Sequence, residues 1–376
     1  MAHQTTGGSN TALITKPGSN NFAADRRGLY LKLFSGEMFK GFQHNAIARD
    51  LVMKRTLKNG SSLQFIYTGR TTAEYHTPGN SILGNSDGAP PVTEKTITVD
   101  ELLISSAFVY ELDETLAHYE LRGEISRKIG YALAEKYDRL IFRAVTRGAR
   151  SASPVSATNF AEPGGTQIRV GSSANDSDAF SAADLVTAFY DAAAAMDEKG
   201  VSSEGRVGVL NPRQYYSLIQ QVGDNGLVNR DEQGSSRQRG NGIVEIAGIK
   251  IYKSMNVPHF GQYGVNYTET SEPDPGNKGD FTEASMANEN AETVNDYGEG
   301  SKFANSCGLI FQKEAVGVVE AIGPQVQVTS GDVSVIYQGD VILGRLAMGA
   351  DVLNPASAVE LYAGASDATG AALTSW

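Results

Sequence analysis

From Leu121 onward, the apolar side chains Leu121, Ile125, Ile129, Leu133, Tyr137, Ile141 and Val145 recur at every fourth position. Residues three or four apart share one face of a helix, so this spacing reads as helix and not strand. The wider pattern predicts a helix over 113–147, about 52 Å long at the usual rise and roughly three times the mean helix length. Four residues turn by about 400°, so the stripe drifts by about 40° at each step. A stripe that winds round its own helix is not covered by one flat partner. The helix must be buried by different elements along its length, as a spar crossing a broad domain. Gly130 sits inside it, less favourable than alanine by about 1 kcal/mol, and predicts a kink or a close approach.

The flanking segments give an α+β fold. "SSLQFIYTG" at 61–69 and "TEKTITV" at 93–99 read as two strands, with Lys95, Ile97 and Val99 alternating against Thr96 and Thr98. Between them, eleven of the fourteen residues at 78–91 are Gly, Pro, Asn, Ser or Asp. Such a tip holds no core, and a lone two-stranded ribbon is marginal in water, so the hairpin needs a partner surface within the chain or on a neighbour. After the spar, Ser181 with Asp184 reads as a capping box that opens a helix, Gly200 as its stop, and Leu185, Phe189, Ala192 and Met196 as its inner face. "RVGVLNPRQYYSLIQQ" reads as a strand followed by a helix capped by Asn211 with Pro212 in its first turn. "GIVEIAGIKIYKS" reads as two strands pivoting on Gly248. The chain then returns in strands: "CGLIFQ", "VGVVEAI", "QVQVTS", "DVSVIYQ" and "DVILGRLAMGADVLNP".

The search for chemistry finds little. Glu114 and His118 stand four apart in "LDETLAHYELRGE", which places them on one helical face, but no further ligand accompanies them. The five histidines are scattered, without HExxH, CxxC or a phosphate-binding glycine loop. "DNGLVNRDEQG" lacks the calcium-loop spacing. Cys307, the single cysteine, has no readable base and reads as a buried small hydrophobe; it also excludes an internal disulfide framework. No metal, cofactor or catalytic residue is expected. No apolar run is long enough to span a membrane, and the first residues lack the apolar core of a secretory signal.

Charge is unevenly placed. The chain carries −11 overall, yet residues 1–60 hold nine Lys or Arg against three acids, a balance of +6 that leaves −17 elsewhere. Residues 1–28 are polar and read as an extended arm; Tyr30, Phe34, Met38 and Phe42 then mark a short amphipathic helix. The basic start, with Arg26 and Arg27, suggests an arm that contacts something negative; a solvated polar arm is the alternative reading. Residues 266–300 hold nine acids and one lysine and read as an exposed loop insertion.

The order of these parts resembles the major capsid proteins of tailed bacteriophages, and the wording resembles the short-tailed, autographivirus-type group. The residues that carry the likeness are "LYLKLFSGEMFKGF", Gly69-Arg70-Thr71 with Tyr75 and Pro78, "TEKTITVDELL" followed by His118, Arg122 and Glu124, "RVGVLNPRQYYSLI", "IAGIKIYKSMNVP", "AVGVVEA" and "AMGADVLNPASAV". The resemblance implies the tailed-phage major capsid protein fold: an N-terminal arm at 1–56, an E-loop hairpin at 57–100, a P-domain at 101–180 with spine helix 113–147, an A-domain at 181–310 and returning strands with a C-terminal tail at 311–376. It implies a non-enzymatic subunit of the virion, assembled in the host cytoplasm into hexamers and pentamers. These would form an icosahedral shell around double-stranded DNA, without sequence-specific binding to it. A scaffolding protein, a portal at one vertex and a cement protein are its expected partners. Arg70, Tyr75, His76, Asn85 and Asp87 on the hairpin, with Arg26 and Arg27 on the arm, are the expected intersubunit contacts. An enzyme or binding protein whose hairpin is a lid, and another assembly protein such as a tail component, are the rival readings.

Overall fold

The computed structural model describes residues 47–69, 75–79, 92–99, 102–110, 121–155, 162–172, 176–220, 245–258, 306–328 and 338–363. The arm with its amphipathic stripe, residues 111–120 with Glu114 and His118, most of the hairpin tip, "DVSVIYQ" up to Tyr337 and the acidic stretch at 266–300 lie outside them. The described residues are an α+β mixture. The strands are β1 (Met53–Thr56), β2 (Ser62–Thr68), β3 (Val92–Thr98), β4 (Leu103–Tyr110), β5 (Thr166–Arg169), β6 (Arg206–Leu210), β7 (Glu245–Ile246), β8 (Ile249–Lys253), β9 (Ser306–Gln312), β10 (Val316–Val328), β11 (Gly339–Val352) and β12 (Ala358–Tyr362). The helices are α1 (Leu121–Arg150), α2 (Ala182–Glu198) and α3 (Pro212–Gln220).

Two compact units share these elements. One gathers residues 101–135 and 322–347; the other gathers 46–100, 136–321 and the chain from Met348 onward. In the first, β4 runs antiparallel to β11, with Ala107 opposite Ile342 and Leu103 opposite Leu346. One face of this sheet packs on the opening half of α1. Val109, Ile342, Ile129 and Leu133 form the core, with Leu103, Ala107 and Ile125 against it. In the second unit the six-stranded order is β5-β12-β9-β6-β8-β7. Leu185, Phe189, Ala192 and Met196 of α2 join Leu218 of α3 and Ile249 of β8 in its core.

The drifting stripe has the predicted consequence. Up to Gly130 only the sheet-facing side of α1 is covered, whereas every residue from Tyr137 to Thr146 is buried, Leu140, Ile141 and Phe142 among them. The helix ends at Arg150, three residues beyond the expected boundary. At Gly130 there is no close approach: the residue is exposed, and an added Cβ meets nothing within 4 Å. Gly130→Ala is therefore expected to stabilise the subunit by about 1 kcal/mol. Thermal melting checks this, and an unchanged or lowered midpoint would mean that the glycine serves a contact after all.

The local signals have physical outcomes. Helix α2 starts directly after Ser181, as expected, but the Ser181 side chain makes no cap hydrogen bond, so the capping box is not formed. Its far end matches the reading. Gly200 sits at φ +75°, its N–H donates to Asp197 O (2.9 Å), and the Val201 N–H donates to Met196 O (3.0 Å). These are the two bonds of a Schellman stop. Arg206 then reaches over that end, donating to Asp197 and to the carbonyls of Val201 and Ser202. Helix α3 has a reciprocal cap: the Arg213 N–H donates to Asn211 Oδ1 and the Asn211 N–H to Gln214 Oε1. Between β7 and β8 both Ala247 and Gly248 have positive φ, 51° and 77°, the backbone of a tight two-residue hairpin turn. "VGVVEAI" and "QVQVTS", read as two strands, are one strand, β10, running through Gly323 and Pro324. Strand β1 pairs with it only from Gly317 to Glu320. Beyond that point this side of β10 has no partner strand among the described residues, and proline is tolerated at such an edge.

Candidate assembly surface

The hairpin is in place. β2 and β3 pair antiparallel from Ser62↔Thr98 to Thr68↔Val92 and form a sheet of their own. Alternation gives them two different faces. On the inner face, Ile97 is buried, Phe65 lies under the Arg55 guanidinium at 5.1 Å, and the Tyr67 hydroxyl donates to Asn354. Lys95 pairs with Asp351 at 3.1 Å, and Arg147 of α1 grips the same carboxylate at 3.2 Å. The root of the hairpin thus rests on its own chain. Its outer face has no such cover among the described residues: Ile66 is 76% and Val92 61% exposed. Sequence reading missed these two. The available signal was that "SLQFIYT" carries apolar residues on both faces, Ile66 against Leu63, Phe65 and Tyr67.

Of the expected contact residues, Tyr75 and His76 are exposed beyond the end of β2, with Tyr75 fully open. Arg70, Asn85, Asp87, Arg26 and Arg27 lie outside the described residues. Further exposed apolar side chains are Leu102 and Ile104 at β4, and Tyr190, Tyr216 and Tyr252 around α2, α3 and β8.

The start of the described chain is held by two carboxylates. Asp138 of α1 is fully buried and accepts the backbone N–H groups of Ile47 and Ala48, each at 3.0 Å, and the Asn256 amide at 3.4 Å. Glu320 of β10 accepts both ends of the Arg49 guanidinium at 3.0 Å and the Tyr137 hydroxyl at 2.8 Å. Burial pushes the Glu320 carboxyl up, but the hydrogen bonds from Arg49 and Tyr137 outweigh it and hold it below the usual glutamate range. Burial, with the bond to Glu320, pushes the Tyr137 phenol up. A carboxylate depressed in the folded state stabilises the fold above its unfolded value, and that contribution is lost as pH falls through the folded value. The subunit should therefore lose stability as pH drops below about 4.3, the ordinary glutamate value. Glu320→Gln should flatten that part of a melting-against-pH curve, and an unchanged slope would remove Glu320 from the account.

Cys307 is fully buried, and burial, reinforced by nearby Glu360, pushes its thiol up, away from the reactive thiolate. Among the described residues no group of three or more His, Cys, Asp or Glu stands close enough to hold a metal ion, and no helix is long and apolar enough to cross a membrane.

Comparison with known proteins gives a consistent answer. Residues 64–362 match the family described as Gp10A-like: Major capsid protein. The chain is 26% identical over 356 residues to the major capsid protein of Escherichia phage T7, covering 89% of this chain and 92% of that one. It is 33% identical over 126 residues to the major capsid protein of Enterobacteria phage T3, covering 33% of this chain and 35% of the other. Among solved structures, the capsid of cyanophage P-SCSP1u superposes with a TM-score of 0.68 at 30% identity, over 92% of this chain and 97% of that one. The mature capsid of bacteriophage PhiM1 shares the fold at a TM-score of 0.63 and 15% identity, over 89% and 91%. With a tailed-phage capsid fold and a family match across most of its length, the chain belongs to the Gp10A-like major capsid protein family and is a structural subunit of a short-tailed phage head.

Proposed function

We propose that the chain builds the head by closing into rings of five and six copies, which tile an icosahedral shell around double-stranded DNA, and that it has no enzymatic role. The observation that carries this is the hairpin with two different faces. Its inner face is seated on its own chain by Lys95, Phe65 and Ile97, while two large apolar side chains, Ile66 and Val92, stand open on an otherwise polar outer face. A lid over a pocket would have no need of large apolar side chains left open on its far side. A face that looks outward suits an adjacent subunit, and a contact in which every copy both gives and receives closes into a ring when the rotation permits.

In this reading 57–100 is the E-loop, with contacts from Arg70, Tyr75, His76, Asn85 and Asp87 near its tip. The P-domain is 101–180 and the A-domain 181–310, with 311–376 returning to both. The basic arm at 1–56 lies near scaffold, DNA or an acidic neighbour through Arg26 and Arg27. A scaffolding protein and a portal assist assembly, and a cement protein is a further partner.

Ile66→Lys combined with Val92→Lys tests the idea. Position 66 stands opposite Glu94, so the charge does not oppose the hairpin itself. When the variant is expressed with scaffold, circular dichroism should be unchanged and electron microscopy should show no closed shells. Normal shells would sink the assignment of this face.

A further inference from the structure

Strand β4 is the outermost strand of its sheet among the described residues, in the order β1-β10-β11-β4. Its sequence, Leu-Ile-Ser-Ser-Ala-Phe-Val-Tyr, contains no charge, no proline and no glycine. An open edge of this kind is a template for pairing with another chain, and proteins usually guard it with lysine, proline or a bulge. The guard is present elsewhere in the same sheet: beyond Glu320, β10 carries Gly323, Pro324, Gln325 and Gln327 on its free side. β4 has no equivalent. Its outer face is apolar as well. Leu103, Ala107 and Val109 pack toward α1, so alternation places Leu102, Ile104, Ser106, Phe108 and Tyr110 on the opposite face, where Leu102 and Ile104 are 43% and 53% exposed. Val341 and Leu343 of β11 stand directly opposite Phe108 and Ser106.

We propose that β4 pairs antiparallel with β4 of a second copy across a twofold axis passing through Ser106, joining rings of subunits to one another. This rests on the shell reading but concerns a different contact from the one that closes a ring. A strand paired with itself is isologous: the same patch serves both partners. The sequence suits that arrangement. With Ser106 on the axis, Ile104 stands opposite Phe108 of the second copy and Leu102 opposite its Tyr110; on the other face Leu103 meets Val109 and Ser105 meets Ala107. Apolar meets apolar, small meets small, and no charge meets a like charge. The strand is about 27 Å long, and one such edge falls short of the roughly 1,200 Å² of a stable free complex. The pairing therefore holds in the lattice, where it is repeated, and lapses in the free subunit.

Ser106→Cys tests the proposal directly. The serine is exposed, and the natural Cys307 is buried, so the introduced thiol is the reactive one. Residues facing each other in an antiparallel pair stand about 4.5–5.5 Å apart at Cα, within reach of a disulfide. Oxidised shells of Ser106→Cys should run mainly as covalent dimers on a denaturing gel and revert with reductant. Unassembled subunits, and shells of an exposed control such as Ser202→Cys, should stay monomeric. Ile104→Lys should keep its circular dichroism and its rings and lose closed shells. Well-formed shells in which Ser106→Cys stays monomeric, normal shells from Ile104→Lys, or free Ser106→Cys subunits that shield the introduced thiol from a thiol reagent would each overturn the pairing. If the wild-type chain forms no shells at all, the shell reading fails instead.

Discussion

Truncating Arg150 to alanine is expected to cost the subunit about 3–5 kcal/mol, because it leaves a buried carboxylate without its counter-charge. Arg150 closes α1, and its guanidinium donates to both oxygens of Glu360, at 2.7 and 2.6 Å. Glu360 lies on β12 with no solvent exposure. The Ser306 hydroxyl of β9 and the Gln167 amide of β5 donate to the same carboxylate, at 2.5 and 2.9 Å. One carboxylate thus ties the end of the spar to three adjacent strands. In a molecule whose total stability is of the order of 5–15 kcal/mol, the loss is severe, a fall of roughly 6–20 °C in melting temperature for a unit of this size. Combining Arg150→Met with Glu360→Leu should recover part of it, since a buried pair replaced by apolar groups is often neutral. Full recovery is not expected, because Ser306 and Gln167 lose their acceptor. A loss within about 0.5 kcal/mol, the range of ordinary surface changes, would show that the network is not holding the strands.

Asp138→Ala is expected to cost about 3 kcal/mol, by a different route. The side chain accepts two adjacent backbone N–H groups, those of Ile47 and Ala48, and its loss strands one buried and one part-buried donor, a buried one being penalised by about 1–3 kcal/mol. The damage should be local. Residues 47–50 would open while the sheets keep their cores, because what still holds them is the half-exposed Arg49 on Glu320. Trypsin should then cut after Arg49 early, before the sheets unfold, and amide exchange should accelerate there first. Cleavage and melting both unchanged would mean that the root of the arm is secured elsewhere.

The spar was legible in the sequence because a strict spacing of four over seven apolar residues has no competing explanation. Its winding also foretold cover by different elements along its length, but not that the second half would be enclosed on all sides. The stop at Gly200 and the cap at Asn211 were legible because both are local chemistry. The Arg150–Glu360 network was not, since its members stand 210 residues apart and nothing local marks either as buried. The continuity of β10 was hidden by Gly323 and Pro324, which read as a break and prove tolerable only because β1 leaves that side of the strand after Glu320. In the structure, Gly344 faces Ile129 and Leu133, and Gly317 faces Ile97 and Leu353, at distances that leave no room for a Cβ. These glycines make close packing possible rather than motion. Of the assembly surface, the existence of the hairpin was legible and its orientation was not, because alternation separates two faces without saying which one the chain will cover.

The seat of that hairpin has a mechanical meaning. Gly349 lies against the Thr98 carbonyl and Gly317 against Ile97, so the base of β3 rests directly on bare backbone at two points. Contact with bare backbone at these two points has little give, and the seven-residue strands above them act as a lever about 24 Å long. A tilt of about 5° at the base moves the far end by about 2 Å over that length, more than half the spacing between neighbouring residues in a strand. Rings of five and of six differ by about 12° in the angle between adjacent members. A stiff pivot with a long arm turns such a difference into a shift of register at the tip, so the choice between the two rings would be made by where the tip lands and not by how far the base bends.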